Sequence, residues 1–347
     1  MTVPLNGWQL KFDLRILRLL KNMTMTKKLP FYIHCFSKLK RDMKNGGAPH
    51  KPILLLAVIR LFEQGIFTNN QLFILPELVA SFKTIWSQLV VTRHDPIFAL
   101  PFYHMRSEPF WNLAANPGCE IWIESKSSMR SFANLTTAVR FAELEDSLVS
   151  ILLTPDGREI LKDTLLQKYF PDTRHGYVES AGDDLPNGIL LNEDPEEYKR
   201  KLAELKNRLD NEAFQQEVFV RGGIFKREIP KIYNNTCAIS GMRVDALLSV
   251  SMIDACHIVP FSEGYDDTLV NGIALSPNLH RAFDRGLISI SDDYRVIVNN
   301  NFVENRNSPF NIGQFDGLQI SLPTVPSHFP ALANLAQHRN RFGFNYT

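Results

Sequence analysis

The chain has 347 residues, enough for two domains of ordinary size with a core each. Hydrophobic residues make up 44% and charged ones 22%, the balance of a folded globular protein, and no run of about 18 apolar residues offers a membrane span. With 38 Lys and Arg against 37 Asp and Glu the net charge of +1 gives no global nucleic-acid signature and neither supports nor excludes a DNA partner; a DNA surface needs local clusters of Lys and Arg.

Residues 1–25 read as an N-terminal extension, with Met25 an alternative start. They lack the uninterrupted apolar core and small-residue cleavage site of a secretory signal, so a reduced cytoplasm is expected. From 29 to 44, Phe31, Cys35, Phe36, Leu39 and Met43 fall at helical spacing, and Asn45-Gly46-Gly47 ends that helix. Pro52 suits the first turn of a buried helix that runs to Phe62 and is closed by Gly65. Residues from about 70 to 90 predict another helix, and Gly118 to Ile123 a strand. A stretch rich in Gly, Asp and Pro from Thr173 to Asn192 predicts a linker. Glu196 to Phe214 follows as one polar helix, whose narrow stripe of Tyr198, Leu202, Leu205 and Leu209 could bridge two domains. The tail predicts a docked helix over 335–342. Cys35, Cys119, Cys237 and Cys256 are scattered without a C-x-x-C pair, so neither a disulfide framework nor a structural zinc is expected.

The late segment 251–284 carries the chemistry. Ser251 to Val259 is apolar and β-prone, contains His257 and stops at Pro260. After a polar loop, Leu269 to Leu275 predicts a second strand holding an Asn271-Gly272 turn signal. Ser276 is a good N-cap and Pro277 a good first helical residue, which puts His280 and Asp284 at i and i+4 on one helix face. A helix uses that spacing to present two ligands to one ion.

His257 on a strand, Asn271 in a loop and His280 on a helix resemble the HNH, or ββα-metal, nuclease family. The surrounding words "CAISG", "CHIVPFSEGYDD" and "VNGIALSPNLHRAFDRGLISISDDYRV" resemble its restriction-type branch. The resemblance implies that His257 deprotonates water and that Asn271 orients the His257 ring and holds the loop. It also implies that His280 and Asp284 hold one divalent ion, Mg²⁺ or Mn²⁺, while Arg281 or Arg285 clamps phosphates. Many members carry an Asp or His directly before the first His; here Cys256 stands there, with Asp254 two residues before it, and either could complete the ligand set.

Two earlier segments suggest a reader. "GGAPHKPILLLAVIRL" sets His50 and Lys51 at the mouth of a helix, where backbone N–H groups favour a phosphate. "HDPIFALPFYHMRSEPFWNL" interleaves Pro101, Phe102, Tyr103, His104 and Arg106, with Phe98, Phe110 and Trp111 read as core. These segments resemble the sulfur-binding domain that precedes HNH in phosphorothioate-dependent type IV restriction endonucleases of the McrA type. The resemblance implies that Pro101, Phe102, Tyr103 and His104 line the pocket while His50 and Lys51 hold the backbone, and Arg106 of the same basic and aromatic stretch is expected to bind DNA; Leu100 stands where the family often has Tyr. The expected class is α+β: an α-rich reading domain over 26–170, a linker and bridging helix over 171–217, and an HNH domain over 218–347. The expected partner is double-stranded DNA with phosphorothioate modification, with a homodimer left open. A catalytically weak DNA sensor that keeps the HNH shape, and an HNH nuclease that reads another modification, are the alternatives.

Overall fold

The computed structural model describes residues 28–124, 131–178, 194–244 and 252–344, so the N-terminal extension and most of the expected linker (179–192) lie outside the described residues. Two compact units result, Met1–Leu185 and Pro186–Thr347, and both mix helices with short strands.

In the first unit, α1 (28–37) leads to α2 (His50–Glu63), in which every residue from Lys51 to Phe62 is buried. A helix apolar on all sides belongs at the centre of a domain. After β1 (Gln71–Leu72), α3 (Pro76–Leu89) and α4 (Ala99–His104) pack against α2. The expected 70–90 helix therefore begins later, at Pro76, because 71–72 join a sheet. β2 (Trp111–Ala115) and, further on, β3 (Val139–Leu144) complete that antiparallel sheet in the order β1-β3-β2. Phe98, Phe110 and Trp111 are core, as expected.

Between β2 and β3 the strand expected over 118–123 is instead a short helix, α5 (Glu120–Glu124). Gly118, at φ +84°, turns the chain, and the Cys119 carbonyl accepts from Trp122 N and Ile123 N, which winds the segment up. Ile121 and Trp122 stay exposed, so the β-prone alternation has no partner strand to answer it. Next come α6 (Phe132–Ala138), then β3, α7 (Asp146–Leu152) and α8 (Pro155–Tyr169), which also packs on α2.

The second unit begins with α9 (Pro195–Arg208) and α10 (Asn211–Ile232). The single helix expected over 196–214 is broken because Asp210 leaves helical geometry and caps α10, its carboxylate accepting from Ala213 N. Tyr198 and Leu202 of the expected stripe are buried. β4 (Asp254–His257) pairs antiparallel with β5 (Gly272–Leu275), with a one-turn helix α11 (Phe261–Gly264) between them. Helix α12 (Pro277–Asp284) follows directly, then the hairpin β6 (Ile288–Ile290) and β7 (Val296–Val298), and finally α13 (Leu332–Phe342).

The Asn271-Gly272 pair is not a hairpin turn. Gly272 is extended (φ −120°, ψ 145°) and opposes His257 in the ladder. A Cβ there would stand 2.1 Å from Ile229 Cδ1 and 3.0 Å from Phe225 Cε2, so the glycine lets α10 lie against the strands. No helix among the described residues is long and apolar enough to cross a membrane.

His338 on α13 is buried against Phe283, its ring stacked 3.7 Å away. Nε2 donates to the Phe283 carbonyl at 3.1 Å, and Nδ1 accepts from Ser289 Oγ at 2.8 Å. Burial pushes its pKa down from 6.5 to about 4. The unfolded chain therefore binds a proton that the folded one refuses between these values. Stability is complete above pH 6.5 and falls as pH drops towards 4, by about 3 kcal/mol in all. Urea denaturation of wild type and His338→Gln at pH 7 and pH 4.5 should show a larger loss in wild type; equal losses would refute this.

Candidate active site

β4 alternates its side chains. Cys256 faces α12 and is fully buried, whereas His257 faces α10, with 22% of its side chain exposed. On the α12 side, Cys256 Sγ, a His280 ring nitrogen and an Asp284 oxygen lie within 4.8 Å of one another. Asp254 Oδ2 sits 3.1 Å from His280 Nδ1, and Asp284 Oδ2 3.4 Å from Nε2. A carboxylate can only accept from an imidazole N–H. With the proton on Nδ1, facing Asp254, the Nε2 lone pair looks towards Asp284 and Cys256.

Between the two proposed third ligands, the geometry separates their places. Cys256 belongs to the cluster of donor atoms, and Asp254 stands behind the imidazole. Burial first, then Asp284, raises the Cys256 pKa well above 9, so the thiol is neutral, with the His257 carbonyl at 3.6 Å and Asp284 Oδ1 at 3.8 Å as its acceptors. A half-exposed carboxylate at 284 beside the His280 Nε2, with Asp254 on the opposite ring nitrogen, suits a hard dication that keeps several waters. The donor atoms of this cluster thus fit such an ion.

The α10 side holds the other imidazole. His257 Nε2 lies 2.8 Å from Asp267 Oδ1, and the Phe225 ring stacks on it at 3.9 Å and 7°. Among the described residues the Asn271 side chain has its hydrogen bonds elsewhere than on the His257 ring. Its Nδ2 donates to the Val259 and Asp266 carbonyls at 2.9 Å each, and its Oδ1 accepts from Val259 N at 2.9 Å and from Asn334 Nδ2 at 3.1 Å. Asn271 is a clasp across the loop between β4 and β5. The sequence gives no sign of Asp267: a carboxylate in a polar loop is ordinarily solvated.

Ser276 has the backbone of an N-cap, but its hydroxyl does not cap α12. It accepts from Cys237 Sγ at 3.7 Å and donates to Asn278 Oδ1 at 2.7 Å, so these groups satisfy one another. Arg281 and Arg285 are exposed, on α12 and just after it.

Residues 237–291 match the HNH endonuclease family. The chain carries an HNH endonuclease domain. Within it β4, β5 and α12 make the ββα unit, with His257 at the end of β4, Asn271 immediately before β5 and His280 on α12. Among solved structures, a modification-dependent TagI restriction endonuclease is similar, at 22% identity and a TM-score of 0.25. That match covers 34% of this chain and 37% of the other, so barely more than a third of its length is spanned. No curated protein matches.

Outside the HNH domain, the first unit holds a cavity of about 710 Å³. Of the expected reader residues, His50, Lys51, Pro101, His104 and Arg106 line it together, and Leu100 does too. Lys40, Arg41 and His94 also line it, unforeseen from sequence, against a single carboxylate, Asp42. Phe102 and Tyr103 do not: both are buried in the core, Phe102 edge-on to Trp111 and Tyr103 donating to the Ile123 carbonyl at 2.7 Å. They sit on the inner side of a short helix whose other side forms the wall.

Lys51 also departs from expectation. Its ammonium is bound to Glu108 at 2.5 Å and Ser107 Oγ at 2.7 Å with little exposure, so the charge is neutralised inside the protein. Burial lowers its pKa and Glu108 opposes that. The pair braces the cavity floor. His50 has its pKa lowered by burial and is tied to the Asp95 carbonyl through Nε2 at 2.9 Å. The Arg106 guanidinium lies 4.2 Å over the Tyr103 ring and donates to the Ile123 carbonyl.

Proposed function

We propose that this protein is a modification-dependent DNA endonuclease, in which the first unit reads phosphorothioate-modified DNA and the HNH domain hydrolyses the phosphodiester backbone. The observation that carries the nuclease reading is the pairing, across one short strand, of a carboxylate-held imidazole at 257 with a His-carboxylate cluster at 280 and 284. His257 acts as the general base towards an attacking water. His280 and Asp284 would hold a divalent ion, which would supply charge neutralisation at the phosphate under attack. Arg281 and Arg285 supply exposed positive charge for flanking phosphates.

The reading of modified DNA rests on the cavity in the first unit. Its basic side chains favour a phosphate, and its Leu100 and Pro101 wall favours sulfur, which is larger, more polarizable and more weakly hydrated than oxygen. The neutral, buried Cys256 at the ligand cluster is the one feature that favours a weakly catalytic sensor instead.

The test mixes the full-length protein with plain and phosphorothioate-containing duplexes in Mg²⁺, Mn²⁺ or EDTA. Cleavage in the metal-containing mixtures alone, stronger on the modified duplex, is expected. Binding without cutting in both metals would replace the nuclease reading with the sensor. Equal affinity for the two duplexes would remove the sulfur reading and leave the nuclease. Asp254→Asn should weaken Mn²⁺ binding about 10–100-fold, the cost of losing the carboxylate behind a ligand imidazole. Calorimetric titration reads this directly, and unchanged affinity would deny Asp254 that place.

A further inference from the structure

We infer that Asp267 is the positioning residue for His257, holding its imidazole in the tautomer and orientation that general-base catalysis requires. This deepens the proposed function and rests on it, through the assignment of His257 as base.

Four observations converge. Asp267 is only 1% exposed, so its carboxylate is held within the protein and meets neither DNA nor ion. Oδ1 lies 2.8 Å from His257 Nε2, a distance at which an ionised carboxylate accepts a short N–H bond. Oδ2 is within 3.5 Å of the Tyr198 hydroxyl, which is itself buried under the Arg221 guanidinium. The ring plane of His257 is fixed separately by the parallel Phe225 ring, which reaches it only because residue 272 has no side chain.

The chemical consequence follows from the acceptor-only nature of a carboxylate. The His257 proton must sit on Nε2, so Nδ1 is left with its lone pair and no partner among the described residues. That nitrogen is the one able to take a proton from water. When it does, both ring nitrogens are N–H, and the carboxylate stabilises the imidazolium. Asn271, which the family resemblance casts as the orienting group, acts one step back: by clasping Val259 to Asp266 it fixes the loop from which Asp267 projects.

The experiment compares wild type, Asp267→Asn, His257→Ala and the double variant, each as full-length protein. Asp267→Asn should lower kcat by about 10²–10⁴-fold, the range for a carboxylate that holds a general-base imidazole, and leave KM within about twofold. In the His257→Ala background the same change should cost less than about twofold. A comparable further loss there would mean that Asp267 supports the fold and not the base, and would overturn the inference. Nitrogen NMR of the His257 ring gives a readout independent of turnover: an Nε2–H tautomer in wild type, and a mixture in Asp267→Asn. An Nδ1–H tautomer in wild type also overturns it. His257→Ala inactive with Asp267→Asn fully active sinks this inference alone. His257→Ala as active as wild type sinks the base assignment, and the inference falls with it.

Discussion

His257→Ala should cut DNA about 10²–10⁴-fold more slowly than wild type while binding it with unchanged affinity, the signature of a missing general base. That range corresponds to about 3–5.5 kcal/mol of transition-state stabilisation. The ring is partly open to solvent, and its removal forfeits the stack on Phe225 and leaves the buried Asp267 carboxylate with the Tyr198 hydroxyl at 3.5 Å, so a urea midpoint is measured beside the rate to show that the variant is folded. Initial rates on a metal-saturated enzyme, with DNA affinity measured in parallel, decide the matter. Wild-type rates from the variant would take the proton-transfer step away from this strand.

Asn271→Ala fails differently, by unfolding the second unit more easily. The amide is fully buried and all its hydrogen-bonding capacity is used. Truncation strands Val259 N, Val259 O and Asp266 O in a site shielded from water, and each stranded group costs about 1–3 kcal/mol. The expected loss is therefore about 3 kcal/mol or more, a large share of a domain's usual margin. Urea midpoints for the second unit read it. A variant that keeps the wild-type midpoint would mean that the loop closes without its clasp. Together the two variants separate chemistry from architecture: one leaves a folded protein that cannot take a proton, the other a protein that struggles to stay folded.

The helix that bears His280 was legible because its signals are local. Ser276, Pro277 and the i, i+4 spacing suffice to place α12 and set His280 and Asp284 side by side. The strand bearing His257 was legible in kind but not in length. β4 stops at His257 although Ile258 and Val259 are as β-prone, because their N–H groups are taken by the Asn271 carbonyl and side chain. Asp267 and Phe225 could not be read at all, since their roles exist only once a loop and a distant helix converge on one ring. Asp210 was a missed local signal, an N-cap in the middle of what looked like a continuous polar helix. In the first unit the clustering of His50, Pro101, His104 and Arg106 was legible. Which side of the short α4 faces inward was not, and so Phe102 and Tyr103 went to the wrong side.

The packing of α10 on β4 has a bearing on where this nuclease module truly starts. The family match begins at residue 237, yet Phe225 lies upstream of it, and so does Tyr198 beside Asp267. A graft cut at the motif's own borders would carry every residue that names the family and leave the His257 ring with a bare face. Transplanting the activity would require the two preceding helices as well, from Pro195 onward.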